Sequence, residues 1–153
     1  MKLIVDANII FSGILNSNGK IGDLLINSNK FIELIAPDFL RLEIYNHYPK
    51  LCKISKMSEE QVREAEFQIY KGIKFISEEQ IKLGAWKDAE KLVSDIDPKD
   101  THYIAYSKQF RCKLWSGDKA LMIGLRKKGF KNIISTEELY NWRQKKESGS
   151  ERK

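Results

Sequence analysis

Lys2–Val5 (KLIV) opens the chain as a short, apolar, β-branched run, and comparable runs return at residues 31–36, 74–76, 112–115 and 132–134. Each is too short for a helix and reads as a strand. Between them apolar residues recur at helical spacing. Residues 9–15 and 19–28 give two short helices, and Pro37-Asp38 signals the start of a third that runs to about residue 53, with Pro49 expected to kink or end its first part. Ser58, followed three residues later by Gln61, is a capping box that opens a helix with Val62, Ala65, Phe67, Ile69 and Ile73 on its core face.

Ser77 is expected to cap a helix over residues 78–93, and a turn follows around Pro98. Residues 100–109 and 119–128 are helical again, the second stopped by Gly129; a last helix over residues 136–145 has Ser135 as its cap. Strands that alternate with helices predict a single α/β domain: a three-layer α/β/α sandwich around a central parallel sheet of four to five strands. The domain is expected over residues 1–142, with residues 143–153 as a disordered basic tail. The helices between residues 38 and 93 read as an insertion that could clamp one sheet edge.

In an open parallel sheet, ligands gather outside the carboxyl ends of the strands. Asp6 directly follows the first strand, and Asp118 follows the strand at 112–115 after only Ser116 and Gly117, so both carboxylates fall on one rim. Asp100 opens the helix that leads into that strand, and Glu43 lies in the helix after Pro37. Each acid also has an ordinary use, Asp6 and Asp118 as helix caps, Asp100 as a charge favoured by the helix dipole, Glu43 as a surface residue.

Length and charge narrow the chemistry. The chain has 153 residues, 42% apolar and 31% charged, enough for one folded domain without disulfides or a structural metal. No apolar run approaches the roughly 18 residues of a membrane span, and no secretory leader is recognisable. Cys52 and Cys112 form no zinc-spaced motif and read as two buried thiols in a reducing cytoplasm.

Lys and Arg outnumber Asp and Glu by 27 to 21. The surplus is concentrated: residues 101–131 hold eight bases against one acid, Asp118, whereas residues 59–100 hold eleven acids against seven bases. Such a segment suits a polyanion, and Lys108 to Lys113, Lys119, and the run Arg126, Lys127, Lys128 are the predicted phosphate contacts. A solubilising face is the plainer alternative.

Carboxylates within about 4 Å of one another repel by roughly 4 kcal/mol per pair at an effective dielectric near 20, so a cluster of them calls for cations. Hard oxygen ligands select Mg²⁺ or Mn²⁺ over zinc. Metal-assisted phosphodiester hydrolysis is the chemistry that follows, with no nucleophilic side chain required. His47, one turn after Glu43, would allow a mixed site. Trp86, Trp115, Trp142 and Tyr103 are aromatic residues that could stack on bases, although core packing suits Trp86 and Trp115 better.

The segments LIVDANIIFSGIL, FLRLEI, DIDPKDTHYIAYS and LWSGDKAL, in this order and spacing, resemble the four acidic motifs of PIN-domain ribonucleases, the fold of VapC-type toxins of toxin–antitoxin pairs. The resemblance covers about residues 2–139. It implies that Asp6, Glu43, Asp100 and Asp118 hold a catalytic Mg²⁺ or Mn²⁺, with Asp97 as an additional ligand and Asn8 and Ser116 in support. It further implies an RNA substrate, an antitoxin partner and a homodimer. The alternative is a PIN fold that binds nucleic acid or protein without turnover. A haloacid-dehalogenase phosphotransferase is excluded because Asn8 stands where its second Asp belongs. No Gly-rich phosphate loop is present.

Overall fold

The computed structural model describes residues 1–151, the last two by backbone alone. β1 (Lys2–Val5), β2 (Glu33–Pro37), β3 (Ile73–Ile76), β4 (Lys113–Trp115) and β5 (Ile133–Ile134) form one parallel sheet in the order β3-β2-β1-β4-β5. β1 is central, with Ile4 in register with Ile35 on one side and Leu114 on the other. Leu3, Ile4 and Val5 are all fully buried. Their unbroken apolar run is the signature of a strand covered on both faces, and it seats β1 in the middle of the three-layer α/β/α fold.

Among the described residues the helices are α1 (Ala7–Leu15), α2 (Lys20–Asn27), α3 (Phe39–Asn46), α4 (Tyr48–Ser55), α5 (Glu59–Tyr70), α6 (Leu83–Val93), α7 (Thr101–Phe110), α8 (Lys119–Lys127) and α9 (Thr136–Glu151). α1 packs against α2, α3, α4 and α5, whereas α7 packs against α6 and lies on β1, β2 and β4. The Ser58 capping box forms with both of its hydrogen bonds, and Gly129, at φ 84°, ends α8 in the left-handed region that glycine enters without strain. No described helix is long and apolar enough to cross a membrane.

One expectation is met in part and three are corrected. The helix after Pro37 divides at His47, and Pro49 stands in the first turn of α4, where its missing N–H costs nothing. Ser77 caps only a 3₁₀ turn at Glu78–Gln80; extended backbone at Ile81 sinks that side chain into the core, and the Gln109 carboxamide accepts from the Lys82 N–H before α6 begins. The supposed clamp is the β2 to β3 crossover: α3, α4 and α5 cover α1, with Val62 and Ile69 fully buried.

The last correction concerns the tail. α9 continues through residue 151, and Arg143 is buried, its guanidinium bonded to Asp23 and to Ser28 Oγ at 3.0 Å. The boundary expected after residue 142 therefore falls inside a helix anchored to α2. Residues 152–153 of the expected tail lie outside the described residues.

Candidate active site

β1 and β4 are neighbours, so the turns that leave their carboxyl ends lie side by side at the point where strand order reverses. Asp6 and Asp118 occupy those turns. Each is the N-cap of the helix it precedes: Asp6 Oδ1 accepts from the Ile9 N–H at 2.9 Å, and Asp118 Oδ1 accepts from the Leu121 N–H at 3.0 Å. Capping and a role in the site are thus compatible, because the cap fixes the rotamer of a carboxylate that stays on the rim. Ser116, 1% exposed, ties the two together: its hydroxyl accepts from the Asp118 N–H at 3.1 Å and hydrogen-bonds the Asp6 carboxylate.

The other acids arrive from outside the two strands. Asp97 caps the 3₁₀ turn Pro98–Asp100 by accepting from the Lys99 N–H at 3.0 Å, and Asp100 ends that turn at the start of α7. Asp100 caps nothing, and its Oδ2 is buried without a hydrogen-bond partner. Glu43, on α3, accepts at Oε1 from the Tyr103 hydroxyl at 2.9 Å. That same hydroxyl accepts from the Ala7 N–H at 3.3 Å. Burial pushes the Tyr103 phenol up, with the neighbouring Glu43 charge and hydrogen bond acting in the same sense, so it remains a donor.

These acids sense one another. Burial pushes Asp100 up to about 7, and the charges of Asp97, Asp6, Asp118 and Glu43 add to the shift. Asp6 is raised to about 6, mainly by burial; the Ile9 amide and Ser116 oppose this, and Asp118 and Glu43 reinforce it. The group is open: among the described residues no three His, Cys, Asp or Glu side chains stand close enough to grip an ion as they are. The donor set is nonetheless all carboxylate, and an orphaned, buried Asp100 oxygen is what a hard cation would satisfy. The residues fit Mg²⁺ or Mn²⁺ by chemistry.

Beside Asp118 lies a groove of about 330 Å³ lined by Ser116, Gly117, Lys119, Met122, Thr136 and Glu137, among others. Lys119, exposed at the start of α8, is the one predicted phosphate contact on this rim. Lys108 sits in the last turn of α7, and Arg126 and Lys127 in the last turn of α8. Both helices start at the acidic rim and run away from it, which carries these bases about 12 Å off at 1.5 Å per residue. Arg126 is moreover engaged with the Glu138 carboxylate at 3.0 and 3.2 Å, and Lys108 lies over the Phe130 ring. Lys128 is paired with Asp95, and Arg111 and Lys113 flank the start of β4 at the opposite rim.

Asn8 is exposed on α1. His47 stands at the N-cap position of α4 without a side-chain cap bond, its ring edge-on to Phe11 at 6.3 Å. His102 pairs with Glu78 at 3.1 Å and lies against Phe39 and Trp86. Trp115 is core, its indole N–H donating to Thr136 Oγ1 at 3.0 Å. Trp86, half-buried, packs edge-on to His102 and Tyr106, and Trp142, also half-buried, has the Lys146 ammonium over its ring at 5.5 Å. Cys112 is buried and Cys52 half-buried, both as free thiols. Tyr103 is the residue whose role the sequence did not disclose; the available signal was its position three after Asp100, on the same helix face.

Residues 4–142 match the family model described as PIN domain. The fold is shared with a chain of VapBC2 from Rickettsia felis, solved bound to a DNA fragment from its promoter: TM-score 0.63, 13% identity, 88% of this chain and 97% of that one. PAE2754 from Pyrobaculum aerophilum superposes with the same TM-score, 0.63, at 13% identity, over 92% of this chain and 93% of that one. No curated protein matches the sequence.

Proposed function

This chain belongs to the PIN-domain family, and from that premise we propose that it is a Mg²⁺- or Mn²⁺-dependent ribonuclease that hydrolyses RNA phosphodiester bonds. Asp6, Glu43, Asp100 and Asp118 are its catalytic and metal-holding residues, Asp97 an additional ligand, and Ser116 and Asn8 their support. The observation that carries the reading is Asp100: a carboxylate oxygen buried without a partner, amid four other acids that raise its proton affinity. An uncompensated arrangement of this kind is costly to keep unless a cation or a proton is part of its work.

A bound Mg²⁺ or Mn²⁺ would supply activation of water and neutralisation of charge on the phosphate. The residues of the chain do the rest. Asp6 and Asp118 are held still by the amides they cap, and Ser116 keeps their turns in register. Asp100 holds a proton near neutrality while the site is metal-free, and its unpaired oxygen is the one a cation would take over. Lys119 is the base placed to meet an incoming phosphate from the groove beside Asp118.

The likeness to a VapBC2 chain supports a role in a toxin–antitoxin pair, with this chain as the toxin and an antitoxin as its protein partner; a homodimer and a cytoplasmic location belong to the same proposal and follow from the family resemblance. A second reading, a PIN fold that binds RNA without cleaving it, draws support from the open spacing of the acids. Hydrolysis of labelled single-stranded RNA with Mn²⁺ or Mg²⁺ decides between them. The wild type should cleave, and Asp6→Asn and Asp118→Asn, which keep the helix caps, should not. RNA binding without metal-dependent cleavage would establish the second reading, and equal cleavage by both variants would remove the site.

A further inference from the structure

Glu43 differs from its companion acids in where it comes from. Asp6 and Asp118 are fixed by helix caps at strand ends, but Glu43 stands on α3, and something must hold that helix and its carboxylate to the rim. Tyr103 has the geometry to do it. Phe39 and Glu43 are four residues apart and so on one face of α3; the Phe39 ring lies 5.5 Å from the Tyr103 ring, and Glu43 Oε1 accepts the Tyr103 hydroxyl at 2.9 Å. α3 therefore straddles Tyr103, touching its ring one turn before its oxygen.

The far side of the hydroxyl completes the tie. The Ala7 N–H is one of the first amides of α1, which have no partner within the helix; it donates to the Tyr103 oxygen at 3.3 Å. Tyr103 is 4% exposed, too buried for water to replace it freely. Its oxygen thus links the residue after Asp6 to Glu43, 60 residues distant from Tyr103 in the chain. Among the described residues the Glu43 carboxylate accepts no other hydrogen bond, and Oε2 is left unclaimed.

We propose that Tyr103 is a positioning residue: by donating to Glu43 Oε1 while accepting from the first turn of α1, it sets the α3 carboxylate at a fixed place beside Asp6. The inference rests on the metal reading of the site. Its consequence is that Tyr103 and Glu43 act as a unit, so loss of the hydroxyl forfeits what Glu43 contributes.

The test is a double-mutant cycle of Tyr103→Phe and Glu43→Gln read by Mn²⁺ titration in solution, with thermal unfolding of each metal-free protein as the check on folding. Tyr103→Phe keeps the ring that packs on Phe39. It should weaken Mn²⁺ binding on the order of tenfold, the worth of one hydrogen bond to a charged group. Glu43→Gln should weaken it at least as much, and the double variant no further than Glu43→Gln alone. Wild-type affinity in Tyr103→Phe, or losses that multiply in the double variant, would overturn the inference while leaving the metal site standing. A wild type that takes up no Mn²⁺ would overturn the metal reading and this inference with it.

Discussion

Arg143 on α9 and Asp23 on α2, 120 residues apart, form an ion pair in which the arginine side chain is 5% exposed and the aspartate 37%. The asymmetry makes the two partners unequal. Asp23→Ala leaves the buried guanidinium with Ser28 Oγ and the more distant Glu147 carboxylate at 3.7 Å, and should cost about 3 kcal/mol, the low end for breaking a buried pair. Arg143→Met fills the same space with apolar atoms and leaves a carboxylate that reaches water; about 1 kcal/mol is expected from the lost hydrogen bonds. Urea unfolding measures both. The Arg143 guanidinium, and then Asn27, hold the Asp23 carboxyl below its usual range, so this stabilisation is present above the ordinary carboxylate pKa and disappears as pH falls through the lowered one. Equal costs for the two variants would contradict the asymmetry.

Asp6 and Asp100 act on stability in the opposite sense. Their carboxyls are raised to about 6 and about 7, so between those values and the ordinary carboxylate range near 3.9 the folded protein binds more protons than the unfolded chain. Metal-free protein should therefore be more stable at pH 5 than at pH 8, and saturating Mn²⁺ should reverse the order. Asp100→Asn should flatten the metal-free slope and, after discounting for the solvent that reaches the group, stabilise the apo protein at pH 8 by about 1 kcal/mol. Melting temperatures at the two pH values report on it; a metal-free protein steadiest at pH 8, with the same slope in Asp100→Asn, would be inconsistent with it.

Ser116 joins the two strand-end acids without being charged. Removing its hydroxyl frees the Asp118 N–H and loosens Asp6. Ser116→Ala should thus reduce Mn²⁺ affinity by about 10- to 100-fold, the usual range for a residue that orients metal ligands. The substitution adds no volume, so the fold should persist. Unchanged Mn²⁺ binding would show that the caps alone suffice.

Lys119 and Arg126 are both on α8, yet different outcomes are expected. Lys119→Ala should weaken RNA binding and lower the slope of log affinity against log salt by about 0.7, the share of one single-strand phosphate. Arg126→Ala should leave that slope alone and instead lose about 0.5 kcal/mol of stability with the Glu138 pair, which is largely exposed. Salt titrations with Asp6→Asn as the non-cleaving background distinguish them; a reduced slope for Arg126→Ala would put the RNA on the far rim.

Local rules carried much of the fold. The buried run Leu3, Ile4, Val5, the Ser58 capping box and the Gly129 stop are each written within a few residues, where backbone geometry and hydrogen bonding leave little choice. Asp6 and Asp118 were legible for the same reason: each follows a strand directly, and a parallel sheet puts all strand ends of one kind on one rim. The break at Ile81 was not legible, because helical spacing there was overruled by the depth at which that side chain is buried.

By itself, then, the sequence determined a parallel α/β domain with two acids at neighbouring strand ends, since strand, cap and turn signals act over the length of a helical turn. Only the tertiary structure decided that Tyr103 meets Glu43, that Arg143 is core and not tail, and that most of the basic segment faces away from the acids. Those relationships depend on strand order and on the direction each helix runs from the sheet. Both are fixed by burial of the whole core rather than by any stretch of neighbouring residues.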